Sequence, residues 1–487
     1  MKRTPTSLRL LLCASLLFGA GSCKKFVDLT PQDIIPVGSF YRNEEDIRVA
    51  LNGTYGNLRG IYNSYYQFTE LPSDNARTFV ESEANQGPFD KLTWNQSTQP
   101  IAVMWTDSYR TIANANAVLG RIDPIAFANA NTKTQYIGEA KFLRALMYFN
   151  LVRFFGDVPL VVTEIASEQE AYQFSRTPAA EVYAQIERDL TDAEAALPVS
   201  YTGANVGRAT KGAAQALLGK AYLQQRKWAG AEAKLALAAA GPYQLLPDVN
   251  NVFGLGKDNN AEIVFAVQYV ASGFGEGNSY VHLFAPQPSG ASITSVVANS
   301  TCVGTQDLYD AFEPGDNRRD AFIGIFGTGN NTYYWPRKFV YRVSQINEGE
   351  NDWPVLRYAD VLLMYAEALN NNGRTAQAVT QLNRIRTRAG LAGKFLAGTP
   401  SAQDMQLAIE QERRVELSFE GHRWHDLIRW GKDVTTLQAF KTRYTNAATP
   451  GFDNANANLA PRVEARLFPI PSREIALNPR LGQNPGY

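Results

Sequence analysis

Two sets of six residues in this sequence can be laid on one another by a single shift along the chain. Leu218, Gly219, Tyr222, Ala231, Leu235 and Ala238 form the first, and Tyr365, Ala366, Leu369, Ala378, Leu382 and Ile385 form the second, with the same intervals throughout. In each set the first three positions share one face of a helix and the last three share one face of the next, because helical neighbours lie three or four residues apart. Small residues let the two helices approach, and large ones fill the space between them. A hairpin of this kind cannot bury its apolar face alone, so it must stack on others like it. The chain is therefore expected to be mostly α, with helical hairpins packed in series.

The intervals are those of the tetratricopeptide repeat, a two-helix unit of about 34 residues. Generic helical hairpins would also satisfy the bare period. Ile186, Leu190, Ala193 and Pro198 match the second half of such a unit. Its first half would be the helix ending near Phe155, set apart by an insertion. That segment, from Ile137 to Phe155, is apolar nearly all round, which predicts a helix buried on most sides and stopped by Gly156 and Pro159. Earlier stripes are Ile47, Leu51, Tyr55 and Leu58, then Trp105, Tyr109, Ile112, Asn116 and Leu119, where Asn116 is expected to make buried hydrogen bonds. Helical repeats are expected over about residues 105–240 and 354–432. Between them, residues 241–350 turn to Gly, Asn and aromatics, and Ile263, Phe265, Val267 and Tyr269 alternate as a strand would. A Pro-punctuated tail covers 461–487.

The N-terminus carries an export signal. Lys2, Arg3 and Arg9 stand at the head of an apolar run, Leu8 to Ala20, followed by the small residues Gly21 and Ser22. The run is too short for the roughly 20 residues that a membrane helix needs, and no later stretch reaches that length. Of the three cysteines, Cys13 lies within the signal, Cys302 is solitary, and Cys23 directly follows the small-residue cleavage pattern. Cys23 is thus the expected lipidation site, with residues 1–22 removed and residues 23–40, which hold Pro31 and Pro36, forming a tether to one body over 41–487. Removal of the signal deletes three positive charges and leaves 44 basic against 47 acidic residues. Electrostatic attraction to anionic lipid is therefore not the anchor, whereas acyl chains contribute about 0.8 kcal/mol per buried methylene.

No Lys/Arg-rich block occurs, so nothing marks a nucleic-acid footprint. HExxH, GxSxG, zinc-type CxxC and calcium-loop patterns are all missing. Gly212 through Gly219 and Lys220 only superficially resemble a phosphate loop, since the spacing is too long and no Ser or Thr follows the lysine. His422 and His425 stand three apart, but the surrounding Glu412, Arg413, Arg414, Glu416, Glu420, Arg423 and Asp426 point to an ion-pair network pinning the last helices. Paired acids such as Glu81 with Glu83, or Glu70 with Asp74, would suit glycoside hydrolysis, but among 47 acids the sequence selects no pair.

Six separated stretches resemble the SusD/RagB family in its characteristic order: FLRALMYFNLVRFFGDVPL from 142, EVYAQIERDL from 181, GRATKGAAQALLGKAYL from 207, RYADVLLMYAEALN from 357, QERRVELSFEGHRWHDLIRWG from 411, and FPIPSREIALNPRLGQNPGY to the end. The resemblance implies about four tetratricopeptide-like helix pairs carrying a loop-rich lobe with a few short strands. It implies a non-catalytic outer-membrane lipoprotein, facing outward, that captures oligo- or polysaccharide for a SusC-like TonB-dependent transporter and needs no cofactor. Lys24 and Lys25 depart from the acids that often follow the cysteine in surface-exported relatives. Peptide capture, a protein-binding scaffold and a glycan-cleaving enzyme are the alternative readings. The resemblance places Asp74, Arg77 and Trp94 on the binding face, and composition adds Tyr280, Tyr334 and Trp335 as ligand-contact candidates.

Overall fold

The computed structural model describes residues 40–79, 85–444 and 459–487. The signal segment, Cys23, the prolines of the tether, Glu81 and Glu83 lie outside these residues.

Helix α1 (Glu44–Asn63) starts where the Asn43 side chain accepts from the Asp46 N–H, and Glu44, Glu45 and Asp46 sit against the positive end of its dipole. Its buried stripe includes Ile47, Leu51 and Leu58. Helix α2 (Gln99–Arg121) packs on α1 and buries Trp105, Ile112 and Asn116. The Asn116 amide donates to the carbonyls of Val161 and Thr163, each at 3.0 Å, and its oxygen accepts from Arg144 at 2.8 Å. An otherwise costly buried amide is fully satisfied in this way.

Helix α3 (Ala130–Phe155) is buried on nearly every side, as its continuous apolar character predicts. It lies between α2 and α4 (Ala179–Ala196). Gly138 makes the approach to α4 possible, because a Cβ there would stand 2.8 Å from that of Ala196. The two halves of this hairpin do pack together despite the intervening residues.

Helices α5 (Lys211–Gln224) and α6 (Trp228–Ala239) form the next hairpin, and α7 (Tyr358–Asn371) and α8 (Thr375–Arg388) another. Gly219 holds α5 against α6, since a Cβ would come within 2.6 Å of the Leu235 side chain. Leu218, Ala231, Leu235, Ala238, Ala366, Leu369, Ala378, Leu382 and Ile385 are all buried, as the shared intervals require. Gly219 and Lys220 belong to helix α5, so no phosphate loop exists there. Helices α9 (Ala402–Glu416), α10 (Arg423–Trp430) and α11 (Asp433–Tyr444) close the stack.

Residues 240–357 separate α6 from α7 in sequence, yet α6 packs directly on α7. The intervening chain forms the lobe. Strand β1 (Ala76–Arg77), from the N-terminal part of the chain, joins β3 (Val303–Gly304), β4 (Ile323–Phe326) and β5 (Tyr333–Pro336) in an antiparallel sheet of order β1-β3-β5-β4. Strand β2 (Ile263–Val267) pairs antiparallel with β6 (Trp353–Arg357), which runs straight into α7. The alternation at Ile263, Phe265 and Val267 marks this strand. Val264 and Ala266 are buried as well, because the strand has protein on both faces.

A buried ionic network joins lobe to stack. Arg357 pairs with Glu262, with Glu416 at 2.7 Å and with Glu420 at 2.8 Å. Arg318 pairs with Asp316, Glu412 and Glu416, and Lys338 with Glu420 at 2.6 Å. Further along, Arg413 bridges Asp360 and Asp426, each at 2.8 Å. Desolvation makes such pairs poor sources of net stability, but losing one partner strands a charge, so they hold a single register between the two parts. His422 and His425 are buried beside this network. Burial, reinforced by the positive Lys220, pushes His422 down to about 3, which leaves it neutral. Among the described residues no group of His, Cys, Asp and Glu is arranged to hold a metal.

Candidate functional site

The segment that feeds β1 is fixed before it reaches the lobe sheet. Asp74, nearly fully buried, accepts from Arg423 through both guanidinium arms at 2.8 and 2.9 Å and pairs with Arg414 at 3.0 Å. Burial alone would raise the Asp74 carboxyl, but Arg414 and Arg423 outweigh it and hold the group well below the usual carboxylate range. Next to it, Arg414 donates to the Asn75 side-chain oxygen at 2.9 Å.

Thr305 links this anchored segment to the lobe. Its hydroxyl donates to the Asp74 carbonyl at 2.7 Å, its backbone N–H donates to the Asn75 carbonyl at 3.0 Å, and its side-chain oxygen caps the short helix Gln306–Asp310 by accepting from Leu308. That helix carries Tyr309, whose ring stacks on Tyr334 of β5 with centroids 4.8 Å apart and planes 28° apart. The Tyr334 hydroxyl donates to Gln306. The Arg319 guanidinium lies 5.3 Å from the Tyr309 ring centroid.

Successive residues of a strand face opposite sides of the sheet. Tyr333 therefore leaves β5 on the side away from Tyr334, and there it packs on Phe79 with centroids 4.6 Å apart. The Arg77 guanidinium sits 5.3 Å from the Phe79 ring. All four rings, Phe79, Tyr309, Tyr333 and Tyr334, are half-buried. Gln306, Asp310 and Arg319 are the polar neighbours of the Tyr309–Tyr334 pair, and Arg77 that of Phe79.

The sequence-derived candidates are distributed very differently. Tyr334 belongs to the exposed pair. Trp335 is 9% exposed, with its ring over Gly324, where a Cβ would stand 2.1 Å away, and with Arg337 on it at 5.4 Å. Trp94 is a core residue. It is 1% exposed, packed against Phe468 at 4.7 Å, and its indole N–H donates to the Tyr487 hydroxyl at 2.6 Å. Tyr280 is fully buried among Trp353, Phe339 and Tyr269, and its hydroxyl donates to the Asn351 carbonyl. Neither ring has a face to offer a ligand, and both are corrected from contact candidates to packing. Asp74 and Arg77 are likewise buried, Asp74 on Arg414 and Arg423 and Arg77 beside the Phe79 ring. Sequence reasoning missed Phe79, Tyr309 and Tyr333; the doublet Tyr333–Tyr334 beside a tryptophan was the signal available for one of them.

The structure is thus a stack of tetratricopeptide-like hairpins bearing a lobe whose sheet carries two half-buried ring pairs. Residues 320–487 match the SusD family, and residues 25–223 match the family described as starch-binding associating with outer membrane. The chain belongs to the SusD family. The SusD-like protein P25 of Formosa agariphila is 28% identical, over 97% of this chain and 98% of that one. The starch-binding protein SusD of Bacteroides thetaiotaomicron is 23% identical, over 98% of each. Among solved structures, a laminarin-binding SusD-like protein matches with a TM-score of 0.77 and 28% identity, covering 92% of this chain and all of that one. Among the described residues, no helix is long and apolar enough to cross a membrane.

Proposed function

We propose that this protein captures a neutral oligo- or polysaccharide on the Tyr309–Tyr334 pair and delivers it to a SusC-like TonB-dependent transporter, breaking no bond itself. In this reading acyl chains on Cys23 hold it to the outer membrane, facing the cell exterior. The observation that carries the reading is the Tyr309–Tyr334 stack, fixed by the Tyr334 hydroxyl bond to Gln306 and only half-buried. Sugar rings present apolar C–H faces that pack on aromatic rings, while Gln306, Asp310 and Arg319 supply hydrogen-bonding groups for hydroxyls. The near balance of charge in the sequence fits a neutral ligand, and the laminarin- and starch-binding relatives fit a glucan.

The test is calorimetry of the mature protein against neutral glucans, laminarin and starch among them. Binding should change little between 0.01 M and 0.15 M salt, over which the Debye length falls from roughly 30 to 8 Å. Tyr334→Ala and Tyr309→Ala should each weaken it by about 1 to 3 kcal/mol, the scale of aromatic stacking on other ring ligands. A protein that binds peptides and no glycan, or whose glucan affinity survives both substitutions, would overturn the reading.

A further inference from the structure

A second concavity lies away from the lobe, on the flank of the helical stack. It encloses about 560 Å³ between one face of α2, the chain from Pro159 to Phe174, and helix α12 (Ser472–Leu477) with the residues after it. That volume is within the roughly 300 to 1,000 Å³ typical of small-molecule pockets. Tyr109, Ala113 and Ala117 form its floor along α2, and Tyr172, Phe174 and Leu477 form its sides. The two alanines leave the room that the aromatic residues frame.

Most polar groups in the wall are already committed. The Tyr109 hydroxyl donates to the Pro159 carbonyl at 2.8 Å, Asn116 is fully satisfied, and the Asn478 amide donates to Phe174 at 2.7 Å. Charged groups at the edge are paired, Glu164 with Arg121 and Arg110 with Asp107. Glu474 is the exception, since its carboxylate enters no ion pair among the described residues. Burial pushes it above the usual glutamate range, against the charge of the adjacent Arg473 and the Trp105 indole. The pocket thus has a partly desolvated acid that takes the Trp105 indole hydrogen bond and enters no ion pair among the described residues, while the neighbouring Arg473 side chain is exposed.

We propose that this cavity binds a protonated primary amine carried on an apolar body, with the ammonium on Glu474 and the body against Tyr109, Tyr172 and Phe174. A free small amine and the lysine side chain of a peptide share this chemistry. The site is independent of the lobe surface and of the glycan reading.

Calorimetry of the mature protein with 2-phenylethylamine, and separately with its neutral analogue 2-phenylethanol, tests it. The amine should bind about tenfold more tightly than the alcohol, as a charge-assisted hydrogen bond would give. Glu474→Gln should erase that difference and leave the alcohol's affinity unchanged, with the melting temperature as a check on folding. Ala113→Trp, at an exposed position on the floor, should remove both. Stronger competition by N-acetyl-Phe-Lys amide than by the free amine would point to a peptide source, and weaker competition to a small molecule; both support the ammonium site. Equal binding of amine and alcohol, discrimination that survives Glu474→Gln, or no binding of either at millimolar concentration would overturn it.

Discussion

Arg423 holds Asp74 through both oxygens across 349 residues of chain, and the same carboxylate's backbone carbonyl receives the Thr305 hydroxyl. The last helices, the segment entering β1 and the short helix bearing Tyr309 are therefore one mechanical unit. Arg423→Ala leaves Asp74 buried with Arg414 alone, and removing one partner of a buried pair costs about 3 to 5 kcal/mol. Denaturant unfolding should show that loss. Glucan affinity should fall with it, because Thr305 and Tyr309 lose their support. Unchanged stability would separate the two ends of the chain.

Trp94 and Tyr334 should behave as opposites. Trp94→Ala empties a site in contact with Phe468 and Phe89 and removes the donor to Tyr487. It should cost about 3 to 5 kcal/mol of stability. Tyr334→Ala should leave the melting temperature nearly intact and act on binding. Thermal scans of both variants beside their glucan titrations decide the assignment.

Stability should decline from mildly acidic to mildly alkaline pH through Glu70. Its carboxyl is buried, one oxygen accepts from the Gly421 N–H at 2.7 Å, and the other has no partner among the described residues. Burial raises it from 4.5 to about 8. The folded protein keeps this proton over a range where the unfolded chain has released it, so the contribution is full below 4.5 and is lost progressively up to about 8. Asp352, also raised to about 8 by burial and by Asp258, acts in the same direction. His422, depressed to about 3, acts oppositely below its ordinary 6.5. Unfolding midpoints from pH 5 to 9 should flatten in Glu70→Gln; a slope identical to that of the parent would remove Glu70 from the account.

Cys23→Ala should move the protein from the membrane to the soluble fraction. Mass spectrometry of the parent should find acyl groups on Cys23. Retention of the variant through a carbonate wash, with no acylation on the parent, would refute lipidation.

The helical stack was legible because its signal is periodic. Leu218 through Ala238 and Tyr365 through Ile385 repeat one set of intervals, and the all-round apolar character of Ile137–Phe155 could only mean burial. The lobe lacks such a signal. Strands β1 and β3 have two residues each, too few for alternation to register. The Tyr309–Tyr334 pair joins positions 25 residues apart through a helix cap and a strand register that no local pattern encodes. Trp94 and Tyr280 mislead for the same reason. In irregular chain, or in a helix as short as Tyr280–Leu283, an aromatic residue carries no phase. Neither the resemblance that placed Trp94 nor the composition that suggested Tyr280 therefore tells a ring that faces solvent from one that faces Phe468 or Trp353.

The direct packing of α6 on α7 means that the lobe leaves the stack and returns to it at one place. Pairing of β2 with β6 draws the two ends together, and each doubling of the enclosed length would cost only about 0.6 kcal/mol of closure entropy. Lobes of quite different size could thus be exchanged as cassettes on an unchanged helical chassis, altering what is recognised without redesigning what supports it. The graft must satisfy the sheet as well as the charges, because β1 lies outside the exchanged chain and pairs with β3. An incoming lobe must bring counterparts of Arg318 and Lys338, or Glu416 and Glu420 will be left with only Arg357 and Arg388 to pair them.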